Sequence, residues 1–334
     1  MEENFMNKTM NSGEMLGKQS IGKKITSFPQ FGILVVFIGL IIILCIASPA
    51  SFMTGDNFIS VLRQAAAQMV VAIGMTFVLI LGGIDLSVGS VANLCGTLSA
   101  GFIAKAGMDM GLSIVLALLI GLGLGIVNGI VIAKLKIQPF ITTLAMMSTA
   151  KGISLLYSGG LPISGLPVEY MNIGRGYVGV VPISVIIMIA VIAIAWIVLA
   201  KTKFGRRVYA AGGNEECARL SGIKVDRVKI QVYAICALTA ALTGIIYTAR
   251  LASSQPTMAD GLELDAISAV CLGGTSLSGG RGYILGTILG ALFLTFLTNG
   301  LNIVGVSSYW QQILKGVILV VAVVLYSKTA KNNS

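Results

Sequence analysis

The sequence predicts an all-α polytopic membrane protein of about ten transmembrane helices, with duplicated halves and both termini on the cytoplasmic side. Three observations lead there. The 334 residues are 56% hydrophobic and 11% charged, with mean hydropathy +0.92, whereas soluble domains carry about 25% charged residues. The charges sit in short clusters between long apolar runs, each near the roughly 20 residues that a bilayer core requires. The basic residues fall mostly on alternate connections, as the retention of Lys and Arg on the cytoplasmic side dictates.

In chain order, a polar basic leader (1–28) with Lys8, Lys18, Lys23 and Lys24 precedes a transmembrane domain (29–327). The first apolar run begins near Phe31 and outlasts a cleavable signal segment, so it reads as a retained helix. Helices are expected near 31–48, 64–81, 86–104, 112–133, 139–157, 182–200, 229–249, 264–277, 284–304 and 309–326. The eighth is interrupted by Gly273-Gly274 and reads as a half-helix that could line a cavity. Placing the leader inside also puts inside Lys134, Lys136, the basic loop 201–229, Arg281 and the 328–334 tail. Arg63, Lys105, Arg175 and Arg250 then fall outside, and Lys151 and Lys315 lie within spans.

Composition excludes several function classes. Histidine is absent, which removes the commonest general base and metal ligand, so no catalytic residue, cofactor or metal is expected. The five cysteines show no paired spacing and mostly sit in apolar runs, as small hydrophobes do. The net charge of +10 is spread over loops on one membrane face without interleaved aromatics, so the partner is the lipid bilayer and not nucleic acid.

An internal echo supports the duplication. Leu81-Gly82-Gly83-Ile84-Asp85-Leu86-Ser87-Val88-Gly89 is similar to Leu272-Gly273-Gly274-Thr275-Ser276-Leu277-Ser278-Gly279-Gly280, and Gly-Thr pairs follow both, Gly96-Thr97 and Gly286-Thr287. Transporters often carry such repeats, with the pathway between them. The shorter match of Asn128-Gly129 with Asn299-Gly300 is what chance alone provides among glycine-rich helices.

The loop 201–229 contains a short helix written in start and stop signals. Asn214 is a good N-cap, Glu215 and Glu216 suit the positive end of the dipole, and Gly222 supplies a left-handed stop. A helix of about two turns is not stable alone in water. Ala218 and Leu220 offer contacts either to a partner's groove or to the chain itself.

Glu216-Cys217-Ala218 followed after three residues by Gly222 resembles the coupling signature of ATP-binding-cassette importer permeases, with Cys217 where alanine is usual. The stretch Gly212 to Ile223 is similar to the loop of ribose-type sugar permeases. So are Gly82 to Gly89, Gln138 to Leu144, Gly261 to Leu277, and Asn299 to Asn302, which together cover most of residues 57–326. The resemblance implies a multi-pass permease of the bacterial cytoplasmic membrane. It implies three protein partners: a cytoplasmic ABC ATPase, an extracytoplasmic sugar-binding protein and a second permease subunit, a homodimer being expected. It assigns ATPase coupling to Asn214, Glu215, Glu216, Ala218, Arg219, Leu220 and Gly222, moving as levers that switch the pathway between its two exposures. Within the class, ribose is the expected monosaccharide. The chain lacks a phosphate-binding loop of its own; Gly13, Gly17 and Lys18 come one residue short of it.

Polar residues at membrane depth are candidates for the pathway: Asp85, Ser87, Asn128, Gln138, Thr142, Asp265 and Asn299, with Thr143 beside them. Asp85 and Asp265 have a plainer reading as N-caps of the helices that follow them. The amides and hydroxyls equally suit contacts between helices. An ion-coupled secondary transporter of a small polar solute is the competing class, which mid-span carboxylates would favour.

Overall fold

The computed structural model describes residues 31–318 and 320; the expected leader and the 328–334 tail lie outside them. The chain forms α1 (Phe31–Ala47), α2 (Pro49–Phe52), α3 (Gly55–Ile80), α4 (Val88–Ala104), α5 (Met110–Lys134), α6 (Pro139–Ser158) and α7 (Val168–Arg175). A two-stranded hairpin, β1 (Tyr177–Val178) and β2 (Val181–Pro182), leads into α8 (Ile183–Lys201). Then come α9 (Lys203–Gly213), α10 (Glu215–Leu220), α11 (Val225–Leu251), α12 (Leu262–Leu272), α13 (Ile284–Ile303) and a last helix, α14, over 308–318.

Within the described residues each expected helix position meets a helix. The expected 309–326 runs past them after 320, the expected 229–249 starts four residues early at Val225, and two others differ in extent for clear reasons. The second begins at Gly55, nine residues early, because the Thr54 hydroxyl caps it by accepting from the Asn57 N–H at 3.2 Å. The eighth stops at Leu272, where Gly273 ends it and Gly274 turns with φ +84°. Among the described residues five helices, α3, α5, α8, α11 and α13, are long and apolar enough to cross a membrane; α1 and α4 are shorter and apolar. α6 has 20 residues but is not among the five, since Ser, Thr and Lys151 interrupt its apolar run.

α3, α4 and α11 form the buried centre, and α5 packs along α11. The close approach is made by Gly121, Gly125 and Gly129, four residues apart on one face of α5. A Cβ at Gly125 would stand 2.5 Å from the Tyr233 carbonyl oxygen. In a bilayer, where no hydrophobic effect drives helices together, such small-residue contacts supply the packing. Gly123 faces open space, so the contact uses a four-residue repeat and leaves the middle glycine of the Gly121-x-Gly123-x-Gly125 run aside. Outward from this centre the surface is apolar: Val115, Leu119, Ile189, Ile194, Trp196 and Ile197 are exposed on α5 and α8, as lipid-facing helices require.

Candidate functional site

Two regions carry the candidate residues: the loop helix α10 with the turns beneath it, and polar groups deep among the helices.

α10 forms as its signals dictate. Asn214 Oδ1 accepts from the Cys217 N–H at 2.9 Å. At the other end Gly222, at φ +80°, donates to Arg219 O, and the Ile223 N–H donates to Ala218 O, both at 3.0 Å. That is a complete Schellman stop. Ala218 turns inward and packs with Ala211 and Val225, so it attaches the helix to its own chain, whereas Leu220 is 84% exposed. Glu215 is held by Lys229 at 2.7 Å and Arg219 at 2.8 Å, and Arg219 also reaches Asp226 at 2.9 Å. Partial burial pushes the Glu215 carboxyl up, but the hydrogen bonds from Lys229 and Arg219 outweigh it and leave the group below the ordinary carboxylate range. Hydrogen bonds to Glu215 and then Asp226 hold the Arg219 guanidinium more firmly protonated.

Just before α10, the glycines of the internal echo meet. The Gly280 N–H donates to Ile80 O at 2.8 Å, and a Cβ on Gly279 would lie 2.5 Å from Gly212 O and 3.0 Å from Gly82 Cα. The two echoed turns are therefore packed face to face, with the end of α9 wedged on both. Beside them a cavity of about 690 Å³ is walled by Gly82, Tyr233, Gln138, Glu216, Arg219 and Lys229, among others. It brings Gln138 together with the α10 carboxylates.

Deeper in, Asp85, Ser87 and Asn128 form one buried cluster. Asp85 Oδ1 accepts from the Ser87 N–H at 2.9 Å and the Ser87 hydroxyl at 2.6 Å, and Asn128 Nδ2 donates to Ser87 Oγ at 3.2 Å. The N-cap expectation for Asp85 is thereby corrected. α4 starts at Val88, so the carboxylate lies too early for its free amides and closes a local turn on Ser87 instead. Asp265 is corrected likewise. It lies inside α12, which is capped at Gly261, and its Oδ2 pairs with Lys315 Nζ of α14 at 2.7 Å.

Of the remaining candidates Asn299 joins two helices, whereas Thr142 and Thr143 bond back along α6. Asn299 exchanges hydrogen bonds with Asn57 at 2.9 and 3.2 Å, and Thr142 donates to Gln138 O at 3.3 Å and Thr143 to Pro139 O at 2.9 Å. Asn128 and Asn299 thus have unlike partners, so the Asn-Gly match is no structural repeat. Sequence reasoning missed Asn57, Asn93, and the pairings of Lys151 with Asp260 and of Lys315 with Asp265. The signal available was a lysine standing in an apolar run. At the far end of α11 from α10, Arg63 donates to Arg175 O at 3.0 Å and Arg175 to Arg250 O at 2.6 Å, which brings three arginines together through their backbone carbonyls.

Residues 57–323 match the family described as the branched-chain amino acid transport system / permease component. The chain belongs to this family. Among relatives, a ribose import permease of Bacillus subtilis is 49% identical over 296 residues, 87% of this chain and 92% of the relative. A ribose import permease of Escherichia coli K12 is 44% identical over 300 residues, with the same coverage of 87% and 92%. A galactose/methyl galactoside import permease from that organism is 34% identical over 321 residues, 91% of this chain and 95% of the relative. No solved structure gives a significant match. Membership in this permease family, with five span-capable helices among the described residues, makes the chain a multi-pass membrane transport component.

Proposed function

We propose that this chain is the permease subunit of an ATP-binding-cassette importer for ribose, passing the sugar across the bacterial cytoplasmic membrane after an extracytoplasmic binding protein delivers it. The observation that carries the reading is identity of 44–49% with ribose import permeases along 87% of the chain. In this reading all ten helices cross or enter the bilayer, both termini are cytoplasmic, and 201–229 is the coupling loop within the 29–327 domain.

A separate ATPase docks on α10, where exposed Leu220 and Glu216 form the contact and the inward Ala218 ties it to the permease. ATP-driven movement of that contact shifts the turns packed on Gly212, and a second copy of the chain completes the pathway. The cluster of Arg63, Arg175 and Arg250 at the opposite end of α11 suits an acidic surface of the binding protein. The buried Asp85, Ser87 and Asn128 hold the turn below the pathway, and Asp265 and Asn299 fix helices around it.

The test is uptake of labelled ribose into proteoliposomes holding the permease, its ATPase and the loaded binding protein. Uptake that requires ATP and all three proteins is expected. Uptake by the permease alone, following an imposed ion gradient, overturns the importer reading in favour of secondary transport.

A further inference from the structure

One charged group outside the clusters above lies where charge is least tolerated. Lys151 sits on α6 about 10 Å short of its Ser158 end, at about 1.5 Å per residue. Its Nζ pairs with Asp260 Oδ2 at 2.8 Å. Asp260 Oδ1 accepts from Asn93 Nδ2 at 3.1 Å, and Asn93 Oδ1 in turn accepts from the Ala259 N–H at 2.8 Å. Asn93 is fully buried in the middle of α4. It presents the carboxylate from within.

The two charged side chains are 41% and 40% exposed. A charge at this depth is tolerated only against protein or a water-filled space, not against lipid. α6 itself agrees, since it presents exposed Ser148, Thr149 and Gly152 close to Lys151 and is too polar to count with the span-capable helices. The open side of the pair therefore faces water or a second protein surface, not lipid.

We propose that Lys151 and Asp260, positioned by Asn93, form a weak sugar-hydroxyl station on the wall of the translocation pathway, the carboxylate accepting from one hydroxyl while the ammonium donates to its neighbour. This rests on the importer reading above. A half-exposed pair suits the task, because it can exchange its mutual bond for vicinal hydroxyls and then release them.

The experiment uses right-side-out vesicles containing the whole transporter with Lys151→Cys and a membrane-impermeant cationic methanethiosulfonate; wild type gives the background from the native cysteines. Modification from outside is expected, slowed severalfold by ribose at high concentration with its binding protein. Ser148→Cys, one turn earlier on α6, provides the same reading if the first variant does not assemble. Asp260→Asn should lower ribose uptake about tenfold. A thiol that stays unmodified, or reacts at a rate indifferent to ribose, overturns the station and puts the pair against the second permease. Wild-type vesicles without ATP-dependent uptake would instead sink the importer reading itself.

Discussion

Leu220→Ala is the most direct perturbation of the α10 contact. Leu220 is 84% exposed on a helix whose other apolar residue, Ala218, is 4% exposed against Ala211 and Val225. Removing the Leu220 side chain leaves the permease's own packing intact, so its melting temperature in detergent should stay unchanged. If the ATPase buries this residue, truncation forfeits most of the roughly 2 kcal/mol that full burial of a leucine contributes. That corresponds to about 30-fold weaker association at about 1.4 kcal/mol per tenfold. The assay is titration of the purified ATPase onto detergent-solubilised permease, read by fluorescence anisotropy. Ala218→Leu is the counterpart, since it overfills a closed contact and should lower stability before it touches affinity. An affinity for Leu220→Ala within twofold of wild type refutes the assignment of this face to the ATPase.

Three further outcomes follow from the packing. Gly125→Ala drives a Cβ to 2.5 Å from Tyr233 O and 2.6 Å from Ala237 Cβ, and should cost about 1–3 kcal/mol; Gly123→Ala meets open space, so equal melting temperatures for the two would refute the α5–α11 contact. Acid should loosen α10: because the Glu215 carboxyl is held below its ordinary value, its contribution is present above that value and lost as pH falls through the lowered one. Protection of the amides in 215–220, taken relative to their intrinsic exchange rate at each pH, should therefore fall in acid in wild type but not in Glu215→Gln. Lys315→Met strands the Asp265 carboxylate, with side chains only 27% and 22% exposed, and should destabilise by about 1–3 kcal/mol, much of it regained by adding Asp265→Asn; a thermal-shift comparison in detergent checks both.

What could be read from sequence depended on how local each signal is. α10 was readable to the residue because Asn214 and Gly222 act within one turn of their own positions. The break after Leu272 was readable because Gly273-Gly274 ends a helix whatever surrounds it. Asp85 was misread, since choosing between a cap and a local turn depends on where α4 begins, two residues later than expected. Asp265 was misread because its partner Lys315 lies 50 residues away on another helix. Pairings of that kind leave no periodic trace. The echo of Leu81–Gly89 in Leu272–Gly280 announced a relation between the two segments, but not that they touch.

That contact bears on how a six-residue helix can act on a membrane pathway. A lever works only if what it pushes cannot yield, and α10 is separated from Gly212 by Gly213 and its own cap, Asn214. Gly212 is pressed on the Ile80 carbonyl at the end of α3, and Gly279 and Gly280 close the same junction from the other turn. No side chain intervenes at these approaches, so nothing there can change rotamer to absorb a displacement. A shift of α10 must pass to the ends of α3 and of the turn after α12, the two elements that the internal echo pairs. On the importer reading, a bulkier residue at Gly279 should then uncouple ATP hydrolysis from uptake while the ATPase still binds. Loss of binding in Gly279→Ala would show instead that the junction serves only to fold the loop.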